Sequence, residues 1–124
     1  METPGATGKM LLGITNSIVG LHREFYGRGA TRGRTIMQEN YVVCFMEDIY
    51  TKAERTLIDA GNFKEVQRSR HAFQITLEGR FTDAVEEGTG RKVVGFLSQV
   101  TKDPDYAIEA FVLEPVSKSR QTEP

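Results

Sequence analysis

Six consecutive apolar residues, Tyr41-Val-Val-Cys-Phe-Met46, leave this chain few choices of architecture. The run is too short for a buried helix and is rich in β-branched and aromatic side chains, so it reads as a strand. A strand that does not alternate reads further as central and covered on both faces. Just before it, Glu39-Asn40 suits a two-residue turn and Thr35 to Gln38 a shorter strand, which makes the run one arm of a hairpin. A second hairpin is legible later in the chain. Lys92 to Val100 and Tyr106 to Leu113 are rich in Val, Phe, Ile and Tyr, and Thr101-Lys-Asp-Pro-Asp105 turns between them.

Helical periods fill the remainder. Leu11, Ile14, Ile18, Leu21 and Phe25 recur at three- and four-residue steps across Lys9 to Tyr26, with Leu12, Val19, His22 and Tyr26 widening the stripe. Gly27 stands where a C′ glycine ends a helix. Thr51, with Glu54 three residues on, spells a capping box and opens a short helix that Gly61-Asn62 interrupts. A long helix is expected from about Phe63 to Glu87, its apolar stripe being Phe63, Val66, Phe73, Leu77, Phe81 and Ala84. Gly79 is a weak point there, allowing close packing or a bend, and Gly88-Thr-Gly90 is expected to end the helix. The expected fold is therefore α+β in the order α-β-β-α-α-β-β. Two β-hairpins form a four-stranded antiparallel sheet, with an N-terminal helix, a short helix and a long helix packed on one face.

A chain of 124 residues supports one core. The single domain is expected over residues 9–115, with disordered ends at 1–8 and 116–124. A net charge of −1 supplies no general basic field, so nucleic-acid binding is not expected. Cys44 is the one cysteine, which excludes an intrachain disulfide and suits a reducing, cytoplasmic compartment. The N-terminal residues lack the basic and apolar regions of a signal peptide. The apolar stretch that follows is broken by Asn16, His22, Arg23 and Glu24, so no membrane span is expected.

Gly27-x-Gly29 and Gly88-x-Gly90 have the look of phosphate cradles, but each ends a helix and leads into a strand. Nucleotide loops run the other way, so that helix N-terminal amides face the phosphates. Both read as helix C-caps. The first loop differs in holding Arg28, Arg32 and Arg34, three guanidiniums able to hold a small anion such as phosphate, carboxylate or bicarbonate. The plainer alternative is a solvated basic loop. Arg68, Arg70 and His71 cluster on the long helix, and Arg70 stands where the stripe demands a hydrophobe. It reads either as a buried Arg paired with a carboxylate or, with Arg68 and His71, as a polar seam between subunits. Cys44 is expected in the core, His22 and His71 in structural roles, and neither a metal nor a cofactor is expected. Glu47-Asp48, Glu86-Glu87 and Asp103/Asp105 read as turn and helix-end residues rather than a hydrolytic pair. The apolar strip Phe63, Phe73, Leu77 and Phe81 is expected to serve both the core and a homodimer contact.

Several segments share one pattern with a known family. They are Ile18-Val19-x-Leu21-His22-x-Glu24-Phe25-Tyr26-Gly27-Arg28-Gly29, then Thr51-x-Ala53-Glu54-x-Thr56-Leu57 and Val66-x-x-x-Arg70. Val85-Glu86-Glu87-x-Thr89-Gly90-Arg91-Lys92-Val93, Phe96-Leu97-Ser98, Asp103-Pro104-Asp105 and Glu109-x-Phe111-Val112-Leu113-Glu114 follow. In order and spacing, over roughly Leu12 to Glu114, they resemble the MpsC-like family. That bacterial family is named for a component of a sodium-translocating, membrane-potential-generating system associated with bicarbonate supply. The resemblance implies a non-enzymatic accessory or regulatory protein that acts at the cytoplasmic face of membrane transporter subunits and carries no inherited catalytic residues. The alternative is a small enzyme acting on an anionic metabolite beside the Arg28–Arg34 loop, with His22 or His71 as acid or base. Four positions depart from the family pattern: Ala30 and Lys52 replace prolines, Tyr50 replaces a leucine, and Gly88 replaces an apolar residue. Gly88 is expected to shorten or loosen the long helix, and Ala30 to make the Arg loop less rigid.

Overall fold

In a computed structural model, which describes residues 7–116, the apolar periods resolve into seven elements. They are α1 (Gly8–Tyr26), β1 (Arg32–Gln38), β2 (Tyr41–Glu47), α2 (Lys52–Asp59), α3 (Phe63–Thr89), β3 (Val93–Thr101) and β4 (Tyr106–Leu113). The expected order and the expected class both hold. The disordered ends expected at 1–8 and 116–124 lie outside the described residues, apart from Thr7 and Gly8, which cap and open α1, and Val116. Gly27 ends α1 in the left-handed conformation (φ 78°), where a side chain would be strained, and its amide donates to the Arg23 carbonyl at 3.0 Å.

The strands form one antiparallel sheet in the order β1-β2-β4-β3, so β2 is central as expected. Pairing runs Thr35 with Cys44, Cys44 with Glu109, and Glu109 with Ser98, which puts one residue of each strand in a single row. Side chains of that parity face α1 and α3. Val42, Cys44 and Met46 from β2 and Phe111 and Leu113 from β4 meet Ile14 and Ile18 of α1 and Phe81 and Val85 of α3 in the core, all of them 0–1% exposed. Phe96 links the layers, with ring centres 6.0 Å from Phe81 and 5.2 Å from Phe111.

The expectation that β2 is covered on both faces is overturned. Burial alternates along it: Val42, Cys44 and Met46 are buried, while Tyr41 is 57% exposed and Val43, Phe45 and Glu47 are partly so. The helices occupy one side only. The run looked uniform because the bare side is itself apolar.

Two boundaries and the buried face of α3 also differ from expectation. β1 begins at Arg32 rather than Thr35, since its ladder continues through Arg32–Glu47, Gly33–Met46 and Arg34–Phe45. Arg32 and Arg34 are thus strand residues rather than loop residues. Gly88 does not shorten α3, which continues to Thr89 and is closed by Gly90, whose amide donates to the Glu86 carbonyl at 2.8 Å. A Cβ at Gly88 would lie 2.6 Å from Cγ1 of Ile14, so glycine serves there as the place where α1 and α3 approach. Gly79, by contrast, is exposed and has open space around its Cβ position, so close packing is not its role. Finally, α3 buries Val66, Arg70, Gln74, Leu77, Phe81 and Val85, a stripe with two polar members, while Phe73 is left 39% exposed.

Candidate binding groove on the bare sheet face

The other parity of each strand points away from the helices. Three rows cross this face: Arg32, Glu47, Tyr106 and Thr101; then Arg34, Phe45, Ile108 and Gln99; then Ile36, Val43, Ala110 and Leu97. Strand alternation aligns Arg32 with Arg34 because side chains two residues apart share a face. Over the first two rows lies a groove of about 760 Å³, floored by Phe45, Tyr106 and Ile108 and rimmed by Arg32, Arg34 and Lys102. Glu47 is its one carboxylate. It stands 3.7 Å from Arg32, whose side chain is 79% exposed, so that pair is loose. Arg34 is exposed and has no ion pair or hydrogen bond among the described residues. A rim of cations over an apolar floor can hold an anion by charge while an attached apolar body lies on the floor.

The three arginines singled out in sequence therefore separate. Arg32 and Arg34 line the groove. Arg28 does not: its guanidinium is 2.5 Å from the Asp48 carboxylate and donates to the Asp48 carbonyl at 3.2 Å, tying the loop after α1 to the end of β2. Lys102 was missed, because it reaches the groove only through the turn between β3 and β4. Neither histidine lines the groove. His71 is exposed on α3 beside a separate cleft of about 170 Å³, and His22 lies on the helix-covered side.

That covered side holds a second set of polar groups. Arg70 is 1% exposed, and its guanidinium donates twice to Glu54, at 2.6 Å to each oxygen, and to the Ile49 carbonyl at 2.9 Å. Its Cζ lies 3.9 Å from the Tyr26 ring centre. Burial pushes the Glu54 carboxyl upward, but hydrogen bonds from Arg70 and Thr51 outweigh this and hold it below the usual carboxylate range. Burial also raises the Tyr26 hydroxyl to about 12 and the Cys44 thiol to about 11, and pushes Tyr50 up as well. Arg68 pairs with Glu65 at 2.9 Å on the surface, so Arg68, Arg70 and His71 do not form one cluster. Nearby, Glu109 is 1% exposed, accepts from the Ser98 hydroxyl and lies 3.9 Å from Nε2 of His22. Nε2 of His22 and Nη1 of Arg70 are buried without a hydrogen-bond partner among the described residues. With Arg70, His22 and Glu109 buried at its centre, this seam ties α1, α2 and α3 to the sheet and to the chain after β2.

The fold and the groove together define a two-layer α+β domain that leaves one sheet face outward, with cations gathered at one end of it. Residues 6–115 match the model of the family described as Na+-translocating membrane potential-generating system (MpsC), and the chain belongs to that family. No curated protein and no solved structure matches the chain. Among the described residues, no helix is long and apolar enough to cross a membrane.

Proposed function

We propose that the chain is a non-enzymatic accessory protein of a sodium-translocating, membrane-potential-generating system, and that Arg32, Arg34 and Lys102 take a small anion at the end of its bare sheet face. The observation that carries this reading is Arg34, whose guanidinium has no partner among the described residues and stands beside an apolar floor, with two further cations and one carboxylate around it. Family membership supports the accessory role. On this reading ion translocation belongs to membrane subunits, because only helices or closed barrels satisfy backbone polar groups inside a bilayer. The buried, reduced thiol of Cys44 accords with a cytoplasmic position at their inner face. The alternative of an enzyme with His22 or His71 as acid or base is not supported by the groove, which neither lines; Glu47 is the one carboxylate there.

Hydrogen bonds between charged groups contribute about 1.5–3 kcal/mol each, and an open groove leaves them screened by salt. Binding is therefore expected to be weak and salt-sensitive. Titrating bicarbonate and then phosphate, against chloride at matched ionic strength, should shift amide NMR signals of β1 and of the turn around Lys102. Arg34→Gln should weaken that response several-fold without altering the fold. If neither anion moves those signals beyond what chloride does, the anion site is wrong.

A further inference from the structure

An antiparallel sheet with one face in water ordinarily alternates apolar-in and polar-out. This one is apolar on both sides. Beyond the groove, the bare face presents Ile36, Val43, Ala110 and Leu97 in one row and Gln38, Tyr41, Val112 and Gly95 in the next. Leu97 is 71% exposed, Tyr41 57% and Ile36 43%. No charge stands in those two rows. The charged side chains of the face, Arg32, Arg34 and Glu47, are confined to the groove end.

We infer that this face packs against the same face of a second copy of the chain, giving a two-sheet sandwich with α-helices on both outer sides. Four strands about 4.8 Å apart and about seven residues long span roughly 19 by 23 Å, or about 440 Å² in projection and more in accessible area. A specific interface needs about 500–800 Å² per partner, so the accessible area of such a face lies at the lower edge of that range. An apolar centre with charges only at the rim is also how stable interfaces are built.

Charge also selects the symmetry. Face-to-face copies are related by a two-fold axis lying between the sheets. An axis parallel to the strands stacks β1 of one copy over β3 of the other and gathers the arginines of both copies at one end of the sandwich. An axis across the strands, through the Ile36–Leu97 row, sends the two arginine-bearing ends to opposite ends of the sandwich and lowers the repulsion between them. This arrangement stacks the Arg34–Gln99 row of each copy on the Gln38–Gly95 row of the other and so shares residues with the groove, but sedimentation reads the pairing and the anion titration reads the groove separately.

Sedimentation velocity on the full chain should give twice the 13.9 kDa chain mass. Ile36→Lys with Leu97→Asp should halve it while preserving the circular dichroism spectrum. Should that variant not fold, spin labels on otherwise unaltered protein decide. Native Cys44 is buried and accepts no label. A label at Gln99, one row from the proposed axis, should lie closer to its mate than a label at Thr101, two rows away. A wild-type monomer at high concentration, a variant that stays dimeric, or labels closer at Thr101 than at Gln99 would each overturn the arrangement. A monomer that instead sediments with anionic phospholipid vesicles would reassign the face to a bilayer.

Discussion

Glu54 does two jobs with one carboxylate. As the third residue of α2 it accepts from the Thr51 amide at 2.9 Å and completes the capping box, and it also receives both hydrogen bonds of Arg70 from α3. Removing one partner of a buried pair costs about 3–5 kcal/mol, because the other charge is stranded. Glutamine keeps the capping hydrogen bond, so Glu54→Gln isolates the second job and should lower unfolding stability by about that amount in a denaturant titration. The acid limb should change too. Glu54 binds its proton at a lower pH in the folded chain than in the unfolded one, so its contribution is complete above the ordinary value of 4.5 and is lost as pH falls from there through the depressed value. The Gln variant lacks that part of the wild-type decline. Half of this arrangement was legible: Thr51 and Glu54 spell the cap, and Arg70 breaks an apolar stripe. That the two meet was not, since local spacing says nothing about which helices pack. Tyr50, which replaces a leucine of the family pattern, likewise acquires a partner only in three dimensions, donating to the Thr101 carbonyl at 2.6 Å.

Elements show the same division between local and non-local information. Helix and strand identity, both turns and the order of elements follow from periodicity, caps and turn residues. Boundaries failed where a neighbour decided them. β1 gained Arg32 to Arg34 from its ladder with β2, and α3 kept Gly88 because it packs on Ile14 of α1. The loop arginines were placed differently for the first reason: Arg32 and Arg34 share a face only as strand residues, and Lys102 joins them at the groove through sheet closure. The two helical glycines of α3 make opposite predictions. Gly79→Ala should stabilise the chain by about 1 kcal/mol, because alanine is the better helix former and space is open there. Gly88→Ala brings the same gain but forces a methyl to within 2.6 Å of the buried Ile14. Overpacking costs about 1–3 kcal/mol, so the net change should be destabilising. Thermal melts of the two variants side by side should move in opposite directions.

At the scale of the whole molecule, the segments that carry the family resemblance and the residues that line the groove are largely different sets. Glu54, Arg70, Ser98 and Glu109 lie in those segments and meet in the buried seam, whereas Arg32, Arg34 and Lys102 lie outside them. The resemblance thus describes how the domain is held together, and the groove has to be tested on its own terms. The bare face of the sheet bears on how stability itself is measured. A domain that pairs through such a face, as inferred above, has no single melting temperature. Association draws on the folded state alone, so the midpoint should climb as protein concentration is raised, and the Ile36→Lys/Leu97→Asp variant should melt at one temperature throughout. A dilution series of melts would show whether the amount of protein in the cell is one of the quantities that keeps this fold intact.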